Sequence, residues 1–531
     1  MALTFDTASG QARPGAQTRR NGSPDSSTVV VGISGGRRNA AAAVAVDGRL
    51  EAFCEEERLT RIRGIGLAPG EVPREALQAV LGLTGYDADK VTAFVTAEES
   101  IALPSQLPRV RLDHHYAHAA TAFLSSPFEN AAVLVCDQHS SPEVSVWVGS
   151  GDRIVNQHWP WSGVGFASVF AKCCELFELP PGQEHRLEGL GRLDCGTDLG
   201  RFGDLFPYAD GTMRVNSGWT QSLLAWLHEA GPRATLEHRA KIAGEFQRAL
   251  ATALVELVAD IRRTLGQTRL CLGGGLFFNT FLNTCIAESG QFEDVFVPPN
   301  PGNAGIAAGA ALAVGRQKPN LGSRRMVSAF LGPEYDAEAI KPVLDNCKLS
   351  YECLSHNDVI SACVDALAAG RLVGWFQGRM EWGHRALGNR SILASPFSPY
   401  VLDNLNGFLK QREPHRAYGL SVCEEERPQY FDGPARSAWM EYEYRPKDRD
   451  QFRHVLPAGV TRVRLQTVDG SPPLFRDLHQ AFAARTGAGV LVNTSFNGFS
   501  EPIVCSPRDA IRVFYGTGLD MLVLGRFVIH K

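Results

Sequence analysis

The sequence predicts an α/β fold in which a duplicated strand-rich unit is followed by a second α/β domain, and three observations carry that expectation. β-branched runs joined by tight glycine turns occur twice in the same order. Amphipathic helical stretches lie between and after them. The length of 531 residues exceeds one core, since single cores stop growing near about 250 to 300 residues.

The first copy starts with Val29-Val30-Val31-Gly32-Ile33, then Ala41 to Val46, which meets Arg49 to Phe53 across Asp47-Gly48. Asp-Gly between two apolar runs signals a two-residue hairpin, because both turn positions need positive φ. The second copy runs from Ala132 to Cys136, through a loop to Val144–Gly149, a turn at Ser150-Gly151-Asp152, and Arg153 to Gln157. Such an internal repeat is how duplicated domains of the actin/hexokinase (ASKHA) class begin each half, with a phosphate-approaching loop after each first strand.

Thr235 to Gly266 places Ile242, Phe246, Leu250, Leu254, Leu257 and Ile261 every three or four residues, the stripe of a core-facing helix. A strand, Arg269 to Leu272, then meets Gly273-Gly274-Gly275 ahead of Phe277 to Phe281. A glycine turn between strand and helix suits the approach of a nucleotide, which makes Gly273, Gly274, Gly275 and Asn279 candidate contacts. Val295 to Val297 reads as a strand. Ile306 to Val314 reads as a small-residue helix packed over a ligand or over another helix. The polar stretch Arg316 to Arg325 precedes a linker, which gives a disordered tail at 1–27, the duplicated domain at 28–345 and the second domain at 346–531. In the second domain Asp358 to Ala369 is an amphipathic helix and Leu372 to Phe376 a strand. Gly489 to Asn497 is a buried strand ending in Asn493, Thr494, Ser495 and Asn497, which either bind a substrate or cap the next turn.

A hydrophobic content of 44% supports an extensive core, and a net charge of -4 argues against nucleic acid held by bulk electrostatics. The twelve cysteines are scattered without a C-x-x-C pair and read as buried free thiols in a reducing cytosol, with Cys173-Cys174 as core residues of a helix. No signal peptide or membrane-length apolar run is present, so a cytoplasmic location is expected.

Two motifs carry chemistry. From Trp375 to Ser391 the chain reads WFQGRMEWGHRALGNRS, with Arg379, Arg385 and Arg390 at spacings of six and five. Guanidinium groups bind phosphate two-pronged and glycines admit backbone N–H groups, so the segment reads as an anion cage rather than a solvated loop. The second motif is Leu112-Asp113-His114-His115-Tyr116-Ala117-His118. On a helix it puts His114 and His118 on one face about 6 Å apart at Cβ, a spacing that suits either chelation or a structural pair. Asp137, at the end of the second-copy strand, is the obvious third ligand. Two histidines and a carboxylate with open positions fit a divalent transition metal, iron or zinc among others. His115 points about 100° away and is expected to be packed or hydrogen-bonded.

These segments, together with FQGRMEWGHRALGNRSILASP, GGGLFFN, VNTSFNGFSEPIVCSPRDAI and TGLDMLVLG, resemble the NodU/CmcH-type carbamoyltransferases of antibiotic and nodulation-factor biosynthesis. The resemblance covers nearly everything after residue 28. It implies an ASKHA-type N-terminal domain and a YrdC-like C-terminal domain. The latter combines carbamoyl phosphate with ATP (as its Mg2+ complex) into a carbamoyl-adenylate, and the metal-containing domain carbamoylates a hydroxyl or amine of a small molecule, as in secondary metabolism. It assigns Arg379, Arg385, Arg390 and Ser391 to carbamoyl phosphate and ATP, with Lys410, Arg416, Asn493, Thr494, Ser495 and Asn497 lining the same pocket. His114, His118 and Asp137 would hold the metal, Fe2+ or Zn2+. Carbamoyl phosphate and the acceptor are the expected partners, with no nucleic acid and no membrane, and a homodimer is left open.

The chain departs from the family in its N-terminal half. Gly36-Arg37-Arg38-Asn39 replaces a histidine-aspartate pair, Asp137-Gln138-His139-Ser140 replaces Asp-Gly-x-Gly, and Glu184-His185-Arg186-Leu187-Glu188-Gly189 replaces Glu-Gly-Lys-x-Met-Gly. Asn303 stands where a fourth metal ligand, an aspartate, is expected; the C-terminal half departs less, with His384 for a proline. Activation therefore reads as retained and transfer as rebuilt, with His139 or His185 as base beside Arg385. Arg37, Arg38 and Arg186 would contact phosphate, nucleotide or a carboxylate-bearing acceptor. Three other readings stand open: a drifted, dead pocket; a repurposed homologue with altered or ATP-independent chemistry; and an inert metabolite-binding partner subunit.

Overall fold

Asp47 and Gly48 take φ of 48° and 75°, so the Asp-Gly turn closes a hairpin with the right-handed twist its strands require. In the computed structural model, which describes residues 27–531 apart from 102, 104–107, 139, 194–199, 204, 210–211, 230, 232–234 and 317–325, this hairpin opens the first of two matching sheets. His139 lies outside the described residues.

The first sheet holds β1 (Val29–Ser34), β2 (Ala41–Val46), β3 (Arg49–Glu55), β4 (Ala93–Thr96) and β5 (Arg109–Arg111) in the order β3-β2-β1-β4-β5. The second holds β6 (Asn130–Cys136), β7 (Val144–Ser150) and β8 (Arg153–Asn156). After a small hairpin of β9 (Tyr208–Ala209) and β10 (Thr212–Met213) it adds β11 (Arg269–Gly273) and β12 (Asp294–Phe296), in the order β12-β11-β6-β7-β8. In each, three antiparallel strands are extended by two parallel ones on the side of the first strand. The duplication expected of an ASKHA-type domain is therefore present in both order and sense.

Between the two sheets run the helices His114–Leu124 and Ile306–Gly315. A Cβ on Gly309 would stand 2.3 Å from Ala117 O, and one on Gly32 1.9 Å from Ala307 O. The small residues thus serve helix-on-helix and helix-on-strand contact, which decides that question against a ligand. The helix Leu236–Leu265 buries Ile242, Phe246, Leu250, Leu254, Leu257 and Ile261 in the core under the second sheet.

The third sheet has ten strands: β13 (Glu352–Cys353), β14 (Val373–Phe376), β15 (Arg390–Ala394), β16 (Leu420–Cys423), β17 (Phe431–Asp432), β18 (Glu443–Pro446), β19 (Val463–Val468), β20 (Leu491–Ser495), β21 (Met521–Leu524) and β22 (Phe527–His530). Their order is β13-β22-β21-β14-β15-β20-β16-β19-β18-β17, with helices His356–Ala368 and Pro473–Thr486 packed on one face. The helix Ala337–Asn346 lies on the N-terminal side of the expected boundary except for its last residue, yet its Ile340 and Leu344 enter the core of this sheet. All described cysteines are free. Cys173 and Cys174 are buried in the helix Phe166–Leu176, whereas Cys347 and Cys353 are exposed, contrary to expectation. No described helix is long and apolar enough to cross a membrane.

Candidate active site

Asp113 caps the helix His114–Leu124 through the N–H of Tyr116, which fixes the first turn and with it the histidines. His114 and His118 then face each other with ring centroids 4.8 Å apart. His114 Nε2 lies 3.2 Å from Asp137 Oδ2, and His118 Nε2 3.9 Å from Asp137 Oδ1. One ligand atom from each of the three residues falls within 4.8 Å of the others. His118 Nδ1 lies 3.1 Å from Pro301 O, which turns Nε2 toward Asp137. That nitrogen is buried and has no hydrogen-bond partner, and neither has the buried Oδ1 of Asn303, on a turn against the same helix. Orphaned donor atoms around a carboxylate fit a metal site better than a structural pair. His115 is turned away, between Ser145 Oγ at 2.6 Å and Ser140 Oγ, and burial lowers its pKa to about 4.

Gly274 takes φ of 101°, and a Cβ there would stand 2.1 Å from Cys136 O, so the triple glycine lays backbone against the end of β6 beside Asp137. Asn279, expected to contact a nucleotide, instead accepts from the N–H groups of Phe281 and Leu282 as the cap of the helix Thr280–Glu288.

The arginine loop is not one cage. Arg379 donates to Glu51 O, Leu331 O and Gly332 O. Arg390 donates to Gln377 O, Gly378 O, Asn389 O and Pro333 O, with its guanidinium 3.6 Å from the centre of the Phe376 ring. Ser391 Oγ accepts from the N–H of Gly388. Glu381 Oε1 gathers the N–H groups of Leu387, Asn389 and Arg390. Gly383 is gripped by the N-terminal domain, its N–H on Glu55 Oε1 and its C=O on Arg58 Nη2. All these groups build the loop, and what the loop presents is Arg385, whose buried Nε has no partner.

Arg385 faces a cluster drawn from both domains. Arg192 bonds Glu443 Oε1 at 2.7 Å through Nε and Glu188 Oε1 at 2.5 Å through Nη2, and Thr280 Oγ1 lies 2.6 Å from Glu188 Oε1. The side chain of Arg464, on β19, makes no hydrogen bond or ion pair among the described residues. Burial, Arg385 and Arg192 push its pKa well below the usual range. Burial lowers Arg385 to about 10 despite the attraction of Glu188, and burial with Arg412 lowers Arg416 to about 10. His185 borders the group, and burial, Arg416 and Arg63 lower it to about 3. His384 keeps accessible surface although burial and Arg385 hold its pKa well down, so it borders an enclosed space. A small cavity lined by Phe278, Pro301, His384, Arg385 and Glu441 lies between the cluster and the carbonyl that orients His118.

The remaining predicted residues form a neighbouring group. Lys410 Nζ bonds Ser495 O at 2.6 Å and Asn497 Oδ1 at 2.6 Å, while Ser495 Oγ lies 2.7 Å from Asn497 Oδ1. Burial, Arg412 and Arg63 lower the Lys410 pKa strongly. Asn493 Nδ2 bonds Gln466 Oε1, and Thr494 is half-buried beside it on β20. Arg186 pairs with Glu413. Arg37 and Arg38 are exposed, with the Arg38 guanidinium against Gly182.

Residues 97–312 match the family pattern described as Carbamoyltransferase N-terminus, and residues 364–531 match Carbamoyltransferase C-terminus. The nodulation protein NolO of Bradyrhizobium diazoefficiens is 34% identical over 79% of this chain and 79% of its own. The chain belongs to the carbamoyltransferase family. The nodulation protein NolNO of Sinorhizobium fredii is 30% identical over 92% of this chain and 78% of its own. The 3'-hydroxymethylcephem-O-carbamoyltransferase of Streptomyces clavuligerus is 33% identical over 56% of this chain and 55% of its own. Among solved structures, T. kodakarensis HypF aligns over 54% of this chain and 48% of its own with a TM-score of 0.38 and 15% identity. For this carbamoyltransferase, sequence reading missed Arg464, Arg192, Glu188 and Glu443. The one available signal was Arg464 alternating with Val463 and Leu465 on a strand, which places an arginine on the face opposite two core residues.

Proposed function

We propose that this carbamoyltransferase activates carbamoyl phosphate with ATP in its C-terminal domain and transfers the carbamoyl group to a hydroxyl or amine of a small molecule at the His114–His118–Asp137 cleft. The observation that carries the reading is charge imbalance. Arg192, Arg385, Arg416 and Arg464 converge on Glu188 and Glu443, both already bonded to Arg192, which leaves an excess of positive charge with Arg385 and Arg464 in no ion pair of their own among the described residues. Such an excess in a half-buried cluster is costly, and an incoming phosphorylated anion offsets it. Forked guanidinium groups also neutralise the charge that would repel an attacking oxygen.

Carbamoyl phosphate, ATP and one water yield carbamoyl-AMP, phosphate and pyrophosphate. The acceptor's oxygen or nitrogen then bonds the carbamoyl carbon, AMP leaves and one proton is released. His185 is neutral, the form that accepts a proton, but with a pKa of about 3 it is a weak base. A bound anion offsets Arg416 and Arg63 and raises it. Iron or zinc held by His114, His118 and Asp137, with Asn303 alongside, would polarise the carbamoyl oxygen. The relatives named for nodulation and cephem carbamoylation support a hydroxylated secondary metabolite as acceptor.

Carbamoyl-phosphate-dependent exchange of labelled pyrophosphate into ATP tests the reading. It is expected in the metal-loaded protein and lost in Arg385→Ala. Exchange that ignores carbamoyl phosphate, or none at all, would overturn it.

A further inference from the structure

Glu55 ends β3 as a buried carboxylate, and one of its oxygens serves both domains. Oε1 accepts from the N–H of Gly383 at 2.9 Å and from Asn300 Nδ2 at 3.3 Å, while Oε2 lies 3.4 Å from Arg58 Nε. Arg58 in turn donates to Gly383 O at 2.7 Å, so both the N–H and the C=O of that glycine are held. Gly383 has φ of 107°, and a Cβ there would stand 2.5 Å from Pro299 O, which packs this turn of the arginine loop directly on the segment Pro299-Asn300-Pro301. The far end of that segment serves the histidines. Pro301 O accepts from the N–H of Gly274 at 2.8 Å and from His118 Nδ1 at 3.1 Å, the contact that turns Nε2 toward Asp137. Pro299 and Pro301 also share the small cavity with His384 and Arg385, and the His384 ring lies 4.3 Å from that of Phe278 in the same wall.

One oxygen therefore holds the neighbour of Pro301 on one side and the neighbour of His384 on the other. We propose that Glu55 is a positioning residue shared by the two sites: through Asn300 it sets the carbonyl that aims His118, and through Gly383 it sets the turn that presents His384 and Arg385. This role rests on the proposed function only in giving His118 a metal and Arg385 an anion. Groups that hold the second nitrogen of a metal-binding histidine change metal affinity about 10- to 100-fold when they are disturbed. Here the holding carbonyl is braced against the other domain, so a substitution in the C-terminal domain reaches a metal site in the N-terminal one.

Competition with a chelator for Zn2+ reads that effect. Gly383→Ala must push the turn off Pro299 O, and Zn2+ affinity is expected to fall about 10-fold. Gly388→Ala, in the same loop, is the control. Its φ is 105° and its Cβ would stand 2.3 Å from the Phe475 ring in the C-terminal core, so it is expected to lower the melting temperature and leave Zn2+ affinity unchanged. Glu55→Ala should weaken Zn2+ as Gly383→Ala does. Glu55→Gln keeps a carbonyl oxygen for both N–H donors but takes a counter-charge from buried Arg58, so it should melt lower than the parent and still hold Zn2+ at the parent affinity. A purely structural role would make affinity follow melting temperature across the four variants. Unchanged Zn2+ affinity in Gly383→Ala, or equal losses in Gly383→Ala and Gly388→Ala, would overturn the shared role. A parent that takes up no Zn2+ would overturn it together with the metal reading. Zn2+ affinity lost in Gly383→Ala, in a protein whose parent shows no carbamoyl-phosphate-dependent pyrophosphate exchange, would remove the activation chemistry and leave Glu55 in this role.

Discussion

Arg385 and Arg390 lie five residues apart and do opposite work. Arg390 holds four backbone carbonyls, so Arg390→Lys strands several of them in the interior, and a loss of roughly 2 to 4 kcal/mol of stability is expected by denaturant titration. Arg385 holds none, so Arg385→Lys should leave the melting temperature within a few degrees of the parent. Its effect belongs in carbamoyl phosphate binding, expected to weaken at least 10-fold because a point charge cannot reproduce the fork. His479 gives the clearest acid response. It is fully buried with Nδ1 2.8 Å from Gly489 O, and burial lowers its pKa to about 4. Its ordinary value lies near 6.5, so on acidification the unfolded chain takes the proton first. The stability this residue contributes is complete above about pH 6.5 and declines as pH falls to about 4, by roughly 3 kcal/mol. His479→Gln should flatten the melting temperature between pH 6.5 and 4.5 relative to the parent. The His114–His118 pairing was legible because a helix period fixes both rings on one face. Which arginine of the loop would be presented was not, since that depends on carbonyls supplied by residues 51 and 331–333, remote in sequence.

At the scale of elements, turn chemistry and periodicity carried most of the information. The Asp-Gly hairpin, the repeat of three strands and the stripe of the helix Leu236–Leu265 all follow from local rules. The partners of the C-terminal strands do not. β14 pairs with β21, more than 140 residues on, and nothing in either strand's alternation names the other. Glycine sites fall between these cases, because a glycine announces freedom without saying what approaches. At Gly274 it is Cys136 O, on the strand that delivers Asp137. Gly274→Ala must therefore move the end of β6 and relieve a positive φ, and a destabilisation of about 2 kcal/mol or more is expected by thermal melting. Because Asp137 moves with that strand end, divalent-metal affinity measured by competition with a chelator should fall in the same variant, whereas Gly290→Ala, where φ is 67° and no atom of the described residues beyond its chain neighbours lies within 4 Å of the added Cβ, should cost stability alone.

At the scale of the whole molecule, the arginine–glutamate cluster is also the seam between the domains. Glu188 and Thr280 come from the N-terminal domain and Glu443 from β18, and Arg192 bonds all three. The seam continues through Trp439 Nε1 on Val297 O at 2.7 Å, Tyr442 Oη on Val295 O at 2.6 Å, and Arg61 on Pro502 O and Ile503 O. Docking and the proposed binding are thereby linked, since the arginines left over after the seam is tied are those proposed to meet the anion. Arg192→Met removes the one side chain hydrogen-bonded to both buried carboxylates and breaks both ion pairs, a cost of roughly 3 to 5 kcal/mol. The parent is expected to melt in one calorimetric transition and Arg192→Met in two, as the domains part before either unfolds. Adding Glu188→Gln and Glu443→Gln also removes the carboxylates that attract Arg385, Arg416 and Arg464, so the triple variant should be less stable than Arg192→Met, not more. A single transition in Arg192→Met at the parent temperature would show that the apolar contacts around Trp439 hold the domains without this network.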